Sequence, residues 1–225
     1  YGEKALDKLR GMFGFAVWNE KEQTLMLARD FFGIKPVYYA EIDGHFVFAS
    51  EIKSILAFPG YERKVNQKAL EQYLSFQYAP LEETFFKGIY KLMPGHMLLY
   101  KNGNYEIKTY FKTKLTPGKW NRKTNMDQLR SQLAEILKDS VKHHMLSDVE
   151  VGAFLSGGVD SGYLASASGA DQAFTVGFDE GDRYSEVNKA AKVAEKAGLK
   201  HHVKIISKQE FWDALPDVMY HMDEP

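Results

Sequence analysis

The residues best suited to chemistry are the six of Ser156–Ser161, Ser-Gly-Gly-Val-Asp-Ser, which lie between an apolar strand-like segment and a helical pattern. Consecutive glycines let the backbone turn sharply and come close to a bulky anion. The helix that follows would direct free N–H groups and its positive dipole end at that anion. Two serine hydroxyls add donors. Asp160 would repel a bare phosphate, so we expect a Mg²⁺ ion between the carboxylate and the phosphate.

Two common phosphate motifs do not describe this loop. No Gly-Lys-Ser/Thr follows it, so it is not a Walker A loop, and it lacks the spacing of a dinucleotide fingerprint. The plainer interpretation is a strand–helix turn in which glycine relieves crowding and Ser or Asp caps the helix. Any two of the six residues fit that interpretation equally well. All six together, in this context, favour a phosphate site.

Composition excludes several classes of protein. The 225 residues carry 29 Lys+Arg against 30 Asp+Glu, and 14% are aromatic. A disordered chain would have fewer aromatics and a larger net charge. A protein that binds nucleic acid through bulk charge would be basic, so no nucleic-acid partner is expected. No stretch approaches the ~18 consecutive apolar residues of a membrane span, and no signal peptide opens the chain.

The absence of cysteine excludes three kinds of site within these residues: a disulfide scaffold, a thiolate metal site and a cysteine nucleophile. It also fits a reducing compartment, so we expect a cytoplasmic protein. The chain begins at Tyr1 and stops at Pro225 directly after a helical pattern. We therefore expect it to be part of a longer protein.

The first half predicts strands and hairpins with two helices. Asp43-Gly44 and Asn102-Gly103 each lie between apolar runs and suit the positive φ angles of tight hairpin turns. Short connections favour antiparallel pairing. The predicted strands are 11–18, 24–29, 36–40, 45–49, 97–100 and 105–107, and the predicted helices are 51–58 and 67–77.

The hydrophobic pattern of the second half differs from that of the first, and the change follows a polar stretch around Pro117-Gly118. An amphipathic helix over 126–144 is followed by alternating strands and helices, which indicates a parallel, doubly wound sheet with buried strands. The predicted strands are 150–155, 173–178 and 202–206, and the predicted helices are 163–167, 185–197 and 208–222. The chain is thus expected to hold two partial domains, 1–112 and 126–225, joined by a linker over 113–125.

The loop and its surroundings resemble a known family. Ser156–Ser161 is similar to the pyrophosphate loop of the ATP-pyrophosphatase group, whose members cleave ATP between the α and β phosphates. The flanking residues resemble the glutamine-hydrolysing asparagine synthetases, in that family's order along essentially the whole chain. The segments that carry this resemblance are Gly11–Phe13, Arg29–Tyr39, Phe48–Lys53, Met93–His96, Ser147–Leu155, Phe174–Phe178, Tyr184–Glu186 and His201-His202.

The resemblance implies a fold for each part and a two-step reaction. Residues 1–112 would be the C-terminal part of a class II glutamine amidotransferase domain, of the antiparallel Ntn type. Residues 126–225 would be the N-terminal part of the synthetase domain. The β-carboxylate of aspartate attacks the α phosphorus of ATP, which gives β-aspartyl-adenylate and pyrophosphate. Ammonia released from glutamine then displaces AMP and gives asparagine.

The resemblance also assigns residues to the ATP site, with ATP and Mg²⁺ as the implied cofactors. Ser156, Gly157, Gly158, Asp160 and Ser161 would hold the pyrophosphate and its Mg²⁺, with Asp160 acting on the metal indirectly. Leu155 and Val176 would line the nucleotide site through backbone and side-chain contacts with ribose and adenine. Glu186 lies where the family has an acidic residue near the substrates. Small molecules are the implied partners, and a homodimer is one possible assembly.

The chain departs from the family's pattern in three places. The glutaminase uses an N-terminal cysteine, which belongs upstream of Tyr1 in the family's order. A Ser-Gly-Glu motif for ATP and aspartate belongs downstream of Pro225. Gly162 stands where a second serine is commoner. We therefore expect no complete active site within these residues, and glutamine hydrolysis by this segment at background.

Two rival functions remain. A relative with the same architecture could form another amide, as β-lactam-forming and peptide-cyclising synthetases do. A non-catalytic domain could keep the nucleotide loop alone, although retention of every loop donor and Asp160 argues against it.

Other candidate groups favour structural roles. The adjacent pairs His143-His144 and His201-His202 point their rings apart, so solvated or core roles are preferred over a metal site. Arg29-Asp30 and Glu51 with Lys53 could be acid–base groups, but ion pairs that hold the hairpins are favoured. The role of Asp223-Glu224 is left open. The aromatic pairs Phe31-Phe32, Tyr38-Tyr39 and Phe85-Phe86 fit a core or an interface better than a ligand cage.

Overall fold

A computed structural model describes residues 1–114, 125–179 and 186–223. The described residues form two compact units. The first unit comprises residues 1–114 together with 219–223, and the second comprises 125–179 and 186–218. Most of the predicted linker over 113–125 lies outside the described residues.

The first unit contains two antiparallel sheets. Its four-stranded sheet has the order β1-β2-β6-β7, and its three-stranded sheet has the order β4-β3-β5. The strands are β1 (Gly14–Asn19), β2 (Thr24–Arg29), β3 (Tyr38–Ile42), β4 (His45–Ala49), β5 (Ile89–Lys91), β6 (His96–Lys101) and β7 (Asn104–Thr109). The predicted antiparallel half is therefore confirmed. The short strand β5 and a 3-10 helix over Gly2–Lys8 were not expected from the sequence.

The hairpin turns follow the local sequence. Asp43 and Gly44 have φ angles of 48° and 78°, and Asn102 and Gly103 have 51° and 77°. Positive φ at both central residues defines a turn whose twist matches that of the flanking strands. Both hairpins are confirmed.

Adjacent residues on β2, β3 and β6 enter different cores, which gives the unit four layers. Leu27 and Leu98 of the larger sheet pack with Tyr39 of the smaller sheet, so this core lies between the two sheets. Tyr38, one residue away, points to the opposite face and packs against the helix Ile52–Leu56 (α1). On the outer face of the larger sheet, Ala28 and Met97 pack against Leu6 of the 3-10 helix. The order is helix, sheet, sheet, helix.

The N-terminus of α1 is capped by a residue far along the chain. The carboxylate of Asp223 accepts hydrogen bonds from the backbone N–H groups of Ile52 and Lys53, at 2.8 and 3.3 Å. The Lys53 ammonium lies 3.4 Å from Asp223 and 3.2 Å from Glu51. A carboxylate at this end of a helix is favourable because the first N–H groups have no partner within the helix. Asp223, whose role the sequence left open, is a helix cap within the first unit.

The second unit is a parallel sheet crossed by helices. Its strands are β8 (Ala153–Phe154), β9 (Gln172–Phe178) and β10 (Lys200–Ile206), in the order β10-β9-β8. All pairs are parallel, as predicted. The remaining helices of the two units are α2 (Gln67–Phe76), α3 (Met126–His144), α4 (Val159–Ser168), α5 (Val187–Ala197) and α6 (Lys208–Met222).

One face of the parallel sheet is covered and the other is open among the described residues. The strand order advances in one direction, so right-handed crossovers place α4 and α5 on the same face. Ala173 of β9 packs there with Ala165 of α4 and Ala190 of α5. On the other face Phe174 and Val176 are 40% and 53% exposed, which differs from the buried strands that the sequence predicted. The predicted apolar stripe of α3 is likewise mostly exposed.

Candidate functional site

The glycine loop, Ser156–Ser161, leaves the carboxyl end of β8 and leads directly into α4. Leu155 anchors its start because the Leu155 N–H donates to the carbonyl of Phe174 on the neighbouring strand, at 2.9 Å. α4 begins at Val159, so half of the loop already belongs to the helix. The carboxyl edge of a parallel sheet is the edge at which α/β proteins bind ligands.

Gly157 has a conformation and a neighbourhood that only glycine tolerates. Its φ angle is +77°. A Cβ atom there would lie 2.6 Å from Cβ of Lys189 and 2.8 Å from the backbone nitrogen of Ala190, both on α5. The turn is therefore pressed against the first turn of α5. Glycine at this position serves both chain reversal and close backbone approach.

Hydroxyl groups bridge the two ends of the loop. The Oγ atoms of Ser156 and Ser161 lie 2.9 Å apart. Ser161 Oγ also accepts from the Ser156 N–H at 3.3 Å, and Ser156 Oγ accepts from the Gly158 N–H at 3.4 Å. The loop is thus held by its own donors, and its hydroxyl protons can rotate toward an anion.

The N-terminus of α4 has the properties of an anion site. The helix begins after Gly158, and no side chain caps it. Val159 is 87% exposed and Asp160 is exposed in the first turn. Free N–H groups and the helix dipole favour a phosphate here. One carboxylate together with substrate phosphates is also a usual donor set for Mg²⁺, so Asp160 fits the implied metal.

The other predicted ligand residues lie in different surroundings. Leu155 is 2% exposed in the core under the helices, its N–H donates to Phe174 and its carbonyl accepts from Thr175, so it supports the loop from below and offers little surface to a ligand. Val176 lies on the open face of β9. Glu186 is exposed immediately before α5 and caps it with its backbone carbonyl, which accepts from Ala190 N at 2.9 Å. The predicted Tyr184-Ser185 segment lies outside the described residues.

A hydrogen-bonded pair behind the loop was not identified from the sequence. Thr175 is 5% exposed, and its hydroxyl donates to the Leu155 carbonyl at 2.6 Å. The same oxygen lies 2.8 Å from Nε2 of His201 on β10. The hydroxyl has one proton, so His201 supplies the proton of the second bond. The sequence signal that could have revealed this pair is Thr175 itself, a polar residue on the buried face of an otherwise apolar strand.

We expect Thr175→Val to destabilise the second unit by about 2 kcal/mol, because an isosteric change leaves the Leu155 carbonyl and His201 Nε2 without their partner. Hydrogen exchange measured by mass spectrometry over residues 153–178 would report the loss. Thr175→Ser keeps the hydroxyl and should stay close to the wild type. Equal exchange in the valine variant would contradict this role.

Gly162, which departs from the family's pattern, is buried inside α4. A Cβ atom there would lie 3.4 Å from Cγ1 of Val193, an ordinary contact distance. We expect Gly162→Ala to stabilise the unit by about 0.5–1 kcal/mol, because alanine is the better helix former. Urea unfolding followed by circular dichroism would measure the change. A lower midpoint would show that this contact is too tight.

An open groove of about 640 Å³ extends from the glycine loop between α4 and α5. The loop contributes Gly157 and Gly158, and α4 contributes Tyr163 and Ser166.

Over residues 1–114, 125–179 and 186–223, no group of three or more His, Asp or Glu side chains is placed to hold a metal. None of the helices in these ranges has the length and apolar character of a membrane span.

Arg29 and Asp30 of the first unit bond to backbone atoms. The buried Asp30 carboxylate, 1% exposed, accepts from the N–H groups of Phe13, Phe32, Ile34 and Lys35 at 2.9–3.3 Å. Burial raises the pKa of Asp30, but these four bonds outweigh it and bring the pKa below its usual value. Such a carboxylate is a fixed anion that organises the chain around it.

The neighbouring Arg29 guanidinium also bonds to the backbone, and it donates to three carbonyl oxygens. They belong to Lys35, Leu92 and Gly33, at 3.0, 2.7 and 2.6 Å. The Arg29 carbonyl in turn accepts from the hydroxyl of Tyr110. Burial, and then the charge of Asp30, raises the pKa of Tyr110 to about 12. These bonds describe a structural anchor for the segment between β2 and β3.

The geometry defines the class of the chain: it has an antiparallel two-sheet unit and an α/β unit whose loop and uncapped helix are suited to phosphate. Comparison with known families then identifies the family that each part of the chain matches. Residues 1–111 match the family model of a glutamine amidotransferase domain, and residues 132–225 match that of asparagine synthase. The resemblance predicted from the glycine loop and its flanking segments is confirmed.

Curated relatives with both parts support the same families. Asparagine synthetase (glutamine-hydrolyzing) 1 of Bacillus subtilis is 39% identical over 230 residues, which cover the whole of this chain and 35% of that protein. A putative asparagine synthetase (glutamine-hydrolyzing) of Mycobacterium tuberculosis is 36% identical over 235 residues, with 36% of it covered. The chain spans about a third of the length of these relatives. An amidase of Penicillium rubens is 29% identical over 244 residues.

Proposed function

We propose that this chain is part of an ATP-dependent, glutamine-hydrolysing asparagine synthetase that works in the cytoplasm. The glycine loop carries the proposal: it lies at the carboxyl edge of a parallel sheet, within the residues that match asparagine synthase. The overall reaction converts aspartate, glutamine, ATP and water into asparagine, glutamate, AMP and pyrophosphate. β-Aspartyl-adenylate is the proposed intermediate.

The proposed division of labour follows the two family matches. The helix–sheet–sheet–helix order of the first unit supports a class II glutaminase of the Ntn type over 1–112. Residues 126–225 form the start of a doubly wound synthetase domain, after a linker over 113–125. The open face of the β8–β10 sheet is consistent with further helices in that domain. Ammonia formed in the first domain is used in the second.

Loop residues bind and orient the phosphates in this proposal. The free N–H groups at the start of α4 and the hydroxyls of Ser156 and Ser161 donate to the pyrophosphate moiety of ATP. Gly157 brings the backbone close to it. Asp160 would hold a Mg²⁺ ion indirectly, and that ion would supply positive charge that offsets the charge of the phosphates. Leu155 anchors the start of the loop, Val176 borders the nucleotide, and Glu186 lies near the substrates.

Pyrophosphate release tests this function in the complete protein, of which the chain is part. ATP, Mg²⁺ and ammonia are supplied with aspartate, glutamate or no amino acid, and pyrophosphate is measured. Stimulation by aspartate and formation of asparagine are expected. Stimulation that is equal with every acid would contradict the asparagine assignment, and no pyrophosphate at all would contradict ATP cleavage.

A related synthetase that forms a β-lactam or cyclises a peptide is the alternative. The amidase relative shares the order of the two parts at lower identity. Product analysis in the same assay separates the two, because only the proposed reaction yields asparagine from free aspartate.

A further inference from the structure

Lys189, at the start of α5, is a cationic residue next to the glycine loop. It lies against Gly157, since a Cβ atom on Gly157 would lie 2.6 Å from Lys189 Cβ. The Lys189 side chain is exposed, so its stem leaves the point of contact for solvent. No carboxylate of the described residues forms an ion pair with it. Among the described residues, the ammonium beside the loop therefore has no counterion.

We propose that Lys189 binds the phosphates held by the glycine loop and acts as a specificity residue for a polyphosphate over a single phosphate. This inference rests on the proposed function of the loop. A lysine ammonium is a mobile point charge on a flexible stem of four methylenes, which reaches about 5–6 Å beyond Cβ. That reach covers an anion seated at the N-terminus of α4, whose first residues follow Gly157 directly.

The charge balance of the loop explains why a cation is needed there. Asp160 is the acidic residue of the first turn of α4, and Glu186 stands just before α5. Both are exposed and oppose the approach of an anion with several charges. Backbone N–H groups and helix dipoles supply partial positive charge, which suits one phosphate. Lys189 adds a full charge on the side of the loop that faces α5.

The helix α5 is also well placed to hold this lysine steadily. Residues 189, 193 and 196 share one face of α5 by their spacing of four and three residues. Val193 of this face packs against Gly162 of α4, and Ala190 and Ala194 are buried in the core. The backbone that carries Lys189 is therefore anchored by packing, and only the stem is free to move.

Titration calorimetry of the whole chain with inorganic pyrophosphate and Mg²⁺, and with inorganic phosphate, tests the proposal. Lys189→Met keeps the stem against Gly157 and removes the charge, so we expect pyrophosphate affinity to fall about tenfold and phosphate affinity to change less. Lys189→Arg should restore pyrophosphate binding. Lys192→Met, one turn further along the same helix and also exposed, is the matched control and should change affinity less than twofold.

Two further readings separate binding from structure. Thermal unfolding of Lys189→Met should match the wild type, and the difference in affinity should shrink as salt rises, because screening weakens exposed charges. Equal pyrophosphate affinity for Lys189→Met and the wild type would overturn the role of Lys189 and leave the loop's function standing. Failure of the wild-type chain to bind pyrophosphate would instead overturn the glycine loop as a self-sufficient pyrophosphate site, and the role of Lys189 with it.

Discussion

Replacing Asp30 with Asn is expected to lower the free energy of unfolding of the first unit by about 3 kcal/mol. The carboxylate satisfies four backbone N–H groups in a site that is 1% exposed. An amide has one acceptor oxygen, and its NH₂ group would face N–H donors. Buried donors that lose a charged acceptor each cost about 1–3 kcal/mol, and part of this is recovered by the remaining oxygen.

The effect should depend on pH with a definite sign. The pKa of Asp30 is lower in the folded state than in the unfolded chain, where it is about 3.9. Its stabilising contribution is therefore complete above that value and is lost as the pH falls through the folded-state pKa. The gap in stability between wild type and Asp30→Asn should be constant near neutral pH and should narrow in acid.

Urea unfolding at several pH values, with hydrogen exchange over residues 13–35, would measure this gap. Asp7→Asn makes the same chemical change at an exposed position of the same unit and should remain within about 0.5 kcal/mol of the wild type. A gap of similar size for the two variants would contradict the anchoring role of Asp30. So would a gap that widens in acid.

Replacing Gly157 with Ala is expected to weaken pyrophosphate binding by more than about tenfold, because loop and helix cannot both keep their places. A φ angle of +77° costs an alanine about 1–2 kcal/mol. Its Cβ atom would also lie 2.8 Å from the backbone nitrogen of Ala190, which a rotating side chain cannot relieve. Either α5 moves or the loop opens, and the backbone N–H groups at the start of α4 then no longer point at the same phosphate.

Calorimetry with Mg²⁺ and pyrophosphate would measure the loss, and hydrogen exchange over 156–162 and 187–193 would show the displacement. Gly169→Ala is the matched control: Gly169 has φ +68° at the C-terminus of α4, but nothing lies within 4 Å of its Cβ position. It should cost stability without changing affinity. Wild-type affinity in Gly157→Ala would show that the loop does not depend on this close approach.

Local patterns predicted elements whose cause is local. The bounds of α3 and α6 agree with the predicted 126–144 and 208–222, because side-chain periodicity and helix propensity act over a few residues. Asp-Gly and Asn-Gly predicted two hairpins because their backbone preferences are intrinsic. The same reasoning missed the three-residue strand β5 and predicted six residues for β8, which has two. Short strands depend on their partners more than on their own sequence.

The sequence by itself determined the glycines and hydrogen-bond donors of the glycine loop, the hairpins and the alternation that makes a parallel sheet, since each depends on residues close together in the chain. Only the tertiary structure decided which distant groups meet. It made Asp30 a backbone anchor, joined Thr175 to His201, placed Lys189 against Gly157 and capped α1 with Asp223 across 171 residues. These long-range contacts follow from strand order and helix crossover, because only packing of the whole unit brings these segments within bonding distance.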